Sequence, residues 1–340
     1  MRRVSLLFLS SALLAAAAPS GAQPPEPPSP IFLADLPNPN DFTLFANGGW
    51  DGNWTVGYNA CWIQRISVPE GDYARAYVGA RLGRMKNFKP EGKAPWEKKA
   101  YPGVIYMAAA STSDWSRAES VPLASTEDIP YEPDAASAVS GTGESRWFWA
   151  EVPLKALRPG QDHYLALWSP TPVIDPADHS PVLAAGWGTR EVNSWVWRDG
   201  KGTYPKKPET ATSLTVFEPA IALKLVPAFS GTEEGPKVKI TGIREGKPKG
   251  KKPAPMIVWS EVEGRSVEKA WVEVSADGKK WSRAGTQAWS APYVFTLEIE
   301  QIPPGGKAQA RVRAMDGRGN AGASPAAGIF GGVTEGGQNR

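Results

Sequence analysis

The chain has 340 residues, with 38 Lys and Arg against 35 Asp and Glu and a formal net charge of +3, and it contains 35 Gly, 33 Pro and 15 Trp. Gly and Pro at this density exclude long helices, and no stretch sustains a 3.6-residue apolar period, so an all-β chain is expected. The near-neutral total conceals a contrast: residues 23–234 carry 19 Lys and Arg against 25 Asp and Glu, and residues 235–340 carry 17 against 10.

The N-terminus reads as an export signal over residues 1–22. Arg2 and Arg3 form a basic head, Val4 to Ala18 is a short apolar run, and Ser20-Gly21-Ala22 supplies small residues for cleavage. The run is too short for a membrane anchor, which needs about 18 or more apolar residues. A secreted, periplasmic or cell-surface protein with no later membrane insertion is therefore expected. Cys61 has no second cysteine to pair with, and its neighbours Trp62 and Ile63 mark it as a small buried hydrophobe.

Residues 23–30, rich in proline, form a stiff leader. A first domain is expected over 31–228, a linker over 229–236 at the Ser230-Gly231-Thr232-Glu233-Glu234 run, a second domain over 237–330 and a flexible tail over 331–340. In the first domain strands are expected at Thr43 to Phe45, Trp54 to Tyr58, Cys61 to Val68, Arg75 to Leu82, Val104 to Ser111, Ser145 to Pro153, His163 to Trp168, Val182 to Gly186, Ser194 to Trp197 and Ser213 to Leu225. Their number and spacing argue a two-sheet jelly roll.

The second domain alternates apolar and polar residues from Lys237 to Ile243, continues through Pro255 to Val262, and turns at Asp277-Gly278, a two-residue hairpin signal. Ala308, Ala310, Val312 and Ala314 share one face of its last clear strand and should point inward. About seven short strands in this span fit a sandwich. The run from Arg244 to Lys252 reads as a solvated basic loop, or as weak attachment to an acidic envelope surface. It lacks stacking aromatics and a basic helix, so nucleic acid is not an expected partner.

Two stretches carry a resemblance. Ser275-Ala276-Asp277-Gly278-Lys279-Lys280-Trp281 and Arg313-Ala314-Met315-Asp316-Gly317-Arg318-Gly319-Asn320 resemble bacterial immunoglobulin-like or fibronectin type III modules, which implies a spacer or binding role for the second domain. Residues 147–169, with a strand, a Leu-Arg-Pro-Gly turn and a second strand ending in Trp168-Ser169, look like jelly-roll accessory modules of secreted bacterial proteins. That resemblance implies attachment to carbohydrate or to a cell surface.

The aromatic residues are the candidate site. Trp147 with Trp149, and Trp195 with Trp197, stand two apart, at a same-face spacing of ~7 Å that suits a buried sheet face or, alternatively, sugar rings. Residues 47–59 gather Trp50, Trp54 and Tyr58 among Asp51, Asn53 and Asn59, pairing flat apolar surfaces with groups that bond hydroxyls. A non-enzymatic protein binding a polysaccharide or envelope glycan through Trp50, Asp51, Asn53, Trp54, Tyr58, Asn59, Trp195 and Trp197 is expected. One alternative is a structural or protein-interaction module with an extracellular protein partner. Another is a glycoside hydrolase with paired carboxylates, for which Glu151, Glu191 and Glu218 are candidates. His163 and His179 are the only histidines and fit no metal or nucleophile motif, and Asp41, Asp51, Asp175 and Asp178 lack calcium-ligand spacing. No cofactor and no metal are expected.

Overall fold

A computed structural model describes residues 26–44, 54–84, 103–111, 119–129, 145–171, 181–188, 191–198, 202–203, 210–248, 253–304 and 307–330. The export signal and the tail lie outside these residues. The strands are β1 (Ile31–Leu33), β2 (Cys61–Ser67), β3 (Tyr73–Arg84), β4 (Val104–Ala110), β5 (Glu119–Ser125), β6 (Ser145–Val152), β7 (Asp162–Trp168), β8 (Pro181–Leu183), β9 (Ala185–Trp187), β10 (Ser194–Trp197), β11 (Thr212–Leu214), β12 (Phe217–Pro219) and β13 (Ile221–Pro227). They continue as β14 (Lys237–Glu245), β15 (Met256–Glu263), β16 (Val267–Ser275), β17 (Ser282–Ala288), β18 (Tyr293–Leu297), β19 (Gln309–Asp316), β20 (Ala321–Ala323) and β21 (Ala327–Gly328). The protein is all-β, and every strand pair among the described residues is antiparallel.

The first half packs a five-stranded sheet, β1-β13-β3-β6 with β8 on β3, against a six-stranded sheet, β11-β10-β2-β7-β4-β5, and adds a β9-β12 ribbon. Trp62, Met107, Leu165 and Leu167 from one sheet meet Val78, Leu82, Phe148 and Leu223 from the other in a continuous core. The side-chain period of two drives this arrangement, because each strand turns alternate residues inward. The second half packs β14-β15-β18 on β17-β16-β19-β20, with β21 on β19. Val258, Phe295 and Leu297 face Val272, Val312 and Ala314 across that core. Ala308, Ala310, Val312 and Ala314 are all buried, as their alternation requires.

Several sequence expectations differ from the structure in detail; the expected strand from Val182 to Gly186 is divided between β8 and β9, and Thr43 makes only an isolated bridge to Ala185. The segment from Trp54 to Tyr58 makes only isolated bridges, Thr55 to Val182 and Gly57 to Ala60, because its side chains close the end of the sandwich instead of extending a ladder. The span from Ser213 to Leu225 breaks into β11, β12 and β13, which join different sheets. Strand β5 was not expected, since Pro122 interrupts it; it lies at a sheet edge, where a proline is tolerated. The Asp277-Gly278 turn is a longer loop over residues 276–281, in which Asp277 Oδ1 accepts from the Lys279 and Lys280 amides and Gly278 has φ of 72°.

The two halves are braced together. Lys224 on β13 lies against the rings of Tyr77 and Trp149, at 4.8 and 4.7 Å, and pairs with Glu268 of β16 at 2.6 Å. Arg283 of β17 binds both oxygens of Asp128, at 2.5 and 3.3 Å. Arg318, 8% exposed, donates to both carboxylate oxygens of Glu233, to the Pro227 carbonyl and to the Pro28 carbonyl of the leader. The Trp289 ring meets Phe148 edge-on at 5.2 Å, beside the β5 and β6 edges of the first sandwich. Charge-assisted hydrogen bonds of this kind are directional and fix orientation as well as contact.

Candidate functional site

Among the described residues, those expected to bind sugar do not form a surface platform. Trp50, Asp51 and Asn53 lie outside the described residues. Trp54 is 5% exposed and stacks on Trp62 with ring centroids 4.6 Å apart. Trp195 is 7% exposed and packs with Cys61, Ile63 and Ala166 under Trp197, which is half-buried. Tyr58 and Asn59 are half-buried beside the Gly57 to Ala60 bridge, and the Tyr58 carbonyl accepts from the Gly202 amide. Trp147 and Trp149 stack on each other at 5.3 Å, both edge-on to Phe32. The physical reason is common to these tryptophans: on a sheet strand or in a chain crossing the sandwich end, a tryptophan removes more apolar surface from water by packing inward.

Of the three candidate carboxylates, Glu151 and Glu191 are exposed, and Glu218 is 0% exposed. Strand β12 pairs Glu218 with Gly186 of β9, which sets its side chain under the ribbon. Its Oε2 accepts from Ser194 Oγ at 2.7 Å. Its Oε1 and Asp35 Oδ2 are buried and have no hydrogen-bond partner. A proton shared between them would satisfy both, because a protonated carboxyl donates where two carboxylates would repel. Burial first, then the hydrogen bond to Asp35, push the Glu218 carboxyl up to about 8. Gly188 permits the approach: a Cβ there would lie 2.7 Å from Glu218 Oε1.

Above this pair the ribbon carries the most exposed large apolar side chain among the described residues, Trp187 at 73%. Trp187 lies on Phe217 at 4.7 Å, Phe217 meets Trp54 edge-on at 6.4 Å, and Trp54 stacks on Trp62. An aromatic ladder thus runs from the core to the surface next to a proton-sharing carboxyl pair. Glu218 was named in the sequence as a carboxylate in a Trp-rich strand. Asp35 was not, because nothing in its local sequence points to a partner so distant along the chain.

The remaining reactive types are held inert. His163 is buried, donates from Nδ1 to the Gln161 carbonyl at 2.9 Å and accepts at Nε2 from the Arg158 amide at 2.8 Å. Burial lowers its pKa, so the ring is a neutral structural clamp. Burial pushes the Cys61 thiol well up, which suppresses the thiolate. Among the described residues no three His, Cys, Asp or Glu side chains converge to hold a metal ion.

No family model matches the chain, and no curated protein matches it. Solved structures similar to it include a β-glucuronidase from Ruminococcus gnavus in complex with D-glucaro 1,5-lactone, at 9% identity and TM-score 0.21, covering 90% of this chain and 46% of that one. A β-1,2-glucanase from Parabacteroides distasonis is similar at 12% identity and TM-score 0.24, covering 78% of this chain and 30% of that one. The chain spans less than half the length of these proteins, and likeness at this level carries no information on its activity. The expectation of a non-enzymatic glycan-binding protein acting through the first domain's tryptophans is corrected: Trp54 and Trp195 belong to the packed interior.

Proposed function

We propose that the chain is a non-catalytic structural module of an exported assembly, in which the acidic first sandwich of one molecule docks on the basic second sandwich of a neighbour. The observation that supports this reading is the braced junction. Arg318, Lys224 and Arg283 hold two bodies of opposite charge in one orientation. A free hinge would let the two charges neutralise within one molecule; a braced one leaves them for a neighbour. The ribbon and the residue before it add exposed apolar side chains to the acidic body, Trp187 and Val216 at 73% and 51% exposure, and exposed tryptophan is a common anchor of protein contacts.

In this reading the second sandwich is the immunoglobulin-like or fibronectin type III-like spacer that its sequence resembles, and the N-terminal signal delivers the protein outside the inner membrane. Head-to-tail docking uses two different surfaces, so it builds rings or open chains. Carboxyl-to-amine cross-linking of mixed isotopically light and heavy protein tests it. Light-to-heavy links joining first-domain acids to second-domain lysines are expected; links confined to single molecules would remove the reading.

A second reading, hydrolysis of a glycosidic bond with a glycan as substrate, is favoured by the Asp35 and Glu218 pair. A carboxylic acid that keeps its proton near neutral pH beside a carboxylate is the acid such chemistry uses, and Trp187 nearby offers a ring face. The pair is in direct contact and Glu218 has no exposure, whereas hydrolysis sets its carboxyls about 5 to 10 Å apart. That ranks this reading second. Reducing-sugar release from a panel of glucans and uronic-acid polymers, abolished in Glu218→Gln, is the outcome that would promote it.

A further inference from the structure

Between the two sandwiches lies an open cleft of about 270 Å³, walled by Phe148 and Trp149 of β6 on one side and by Lys269, Gln287 and Trp289 on the other. Of its lining, Lys269 and Gln287 take no part in the contacts that brace the junction. Lys269 follows the bulge that breaks the β16-β19 register between Val267 and Lys269, and a bulge re-aims the side chains beside it. The ammonium lies 5.9 Å from the centre of the Trp289 ring. Burial lowers its pKa, which shows that the charge is held partly out of water.

Glu268 and Asp128 are the carboxylates that act on Lys269, and Lys224 and Arg283 are the cations. Glu268 is taken by Lys224 at 2.6 Å and Asp128 by both arms of Arg283. Of these three cations, Lys269 is the one without an ion pair among the described residues. Nearby, Gln287 Oε1 is buried with no hydrogen-bond partner, an acceptor whose desolvation nothing offsets.

We propose that this cleft binds a small ring-bearing ligand with a single carboxylate. The carboxylate pairs with Lys269, a hydroxyl or N–H of the ligand donates to Gln287 Oε1, and the ring lies among Trp149, Trp289 and Phe148. The single unpaired ammonium selects a carboxylate-bearing ring over a neutral one. The aromatic wall selects a flat or C–H-faced ring over an open chain. The site joins residues of both sandwiches, so it exists only in the braced arrangement, and it is independent of whether copies of the chain associate.

Tryptophan-fluorescence titration of the mature protein tests the proposal, because Trp149 and Trp289 line the cleft. The probes are D-glucuronate and benzoate, which separate a sugar acid from an aromatic acid, with D-glucose and benzamide as their neutral counterparts. Saturable quenching by at least one carboxylate is expected, about tenfold or more stronger than by its neutral partner. Lys269→Met should weaken it about tenfold or more, while Lys279→Met, in the exposed β16-β17 loop, leaves it unchanged. Should Lys269→Met unfold, Gln287→Leu provides the second variant, with an expected loss of about five- to tenfold. Absence of saturable quenching by either acid, equal response to acids and neutral rings, or wild-type titration by a folded Lys269→Met would each overturn the proposal.

Discussion

The Glu218→Gln variant isolates what the proton shared with Asp35 does to stability. The unfolded chain releases the Glu218 proton near 4.5, whereas the native protein holds it to about 8. Between these values the native state binds more protons than the unfolded state, so stability is highest below the lower value and falls as pH rises through the window. Each unit is worth about 1.4 kcal/mol, so the wild type loses ~3 kcal/mol between about pH 4 and pH 7. The amide of the variant does not ionise, yet it can donate to Asp35 Oδ2 and accept from Ser194 Oγ. The variant should match the wild type at about pH 4 and exceed it by ~2 to 3 kcal/mol at about pH 7, a rise of roughly 5 to 10 °C in Tm. Urea unfolding of both proteins across this pH range reads the difference directly. A difference that stays constant with pH, or a variant less stable than the wild type near neutrality, would refute the shared-proton account.

Removing the Arg318 guanidinium with Arg318→Ala should leave Glu233 with only its Asn320 hydrogen bond and the Pro28 and Pro227 carbonyls without the Arg318 donor, costing about 3 kcal/mol and exposing residues 229–236 to limited proteolysis; an unchanged cleavage rate would contradict the brace. Arg318 holds the Glu233 carboxyl down at about 2, so the stability of this contact is present above the ordinary carboxylate range and is lost as pH falls toward that value, with cleavage of the same linker as the readout. Gly188→Ala should destabilise by about 1 to 3 kcal/mol, because the new Cβ would lie 2.7 Å from Glu218 Oε1 in a packed ribbon. Cys61, 1% exposed, should resist an aromatic disulfide reagent in native buffer and react fully in denaturant; rapid native reaction would show that β2 opens.

The architecture was legible wherever alternation survived. Ala308 to Ala314 read as inward and outward faces because β19 has a neighbour on each side and one face in the core. Cys61 read as a buried hydrophobe from its apolar neighbours alone. Trp54 did not, because the Gly and Asn around it suggest an open loop, and only the bridge from Thr55 to Val182 carries it into the sandwich end. The carboxyl pair was half legible: Glu218 lies in an aromatic strand, but Asp35 reaches it through the docking of β1 on β13, a tertiary event with no local signal. The cleft was invisible for the same reason, since Trp149 and Lys269 meet only after both sandwiches have folded.

The central claim is that a braced molecule with oppositely charged halves assembles head to tail. Its most direct test is the light-scattering mass of the mature protein at about 50 mM and about 500 mM NaCl, where the screening length falls from about 14 to about 4 Å. A mass that grows with protein concentration at low salt and falls to that of the single chain at high salt is the predicted result. A single-chain mass at both salts and all concentrations would contradict it.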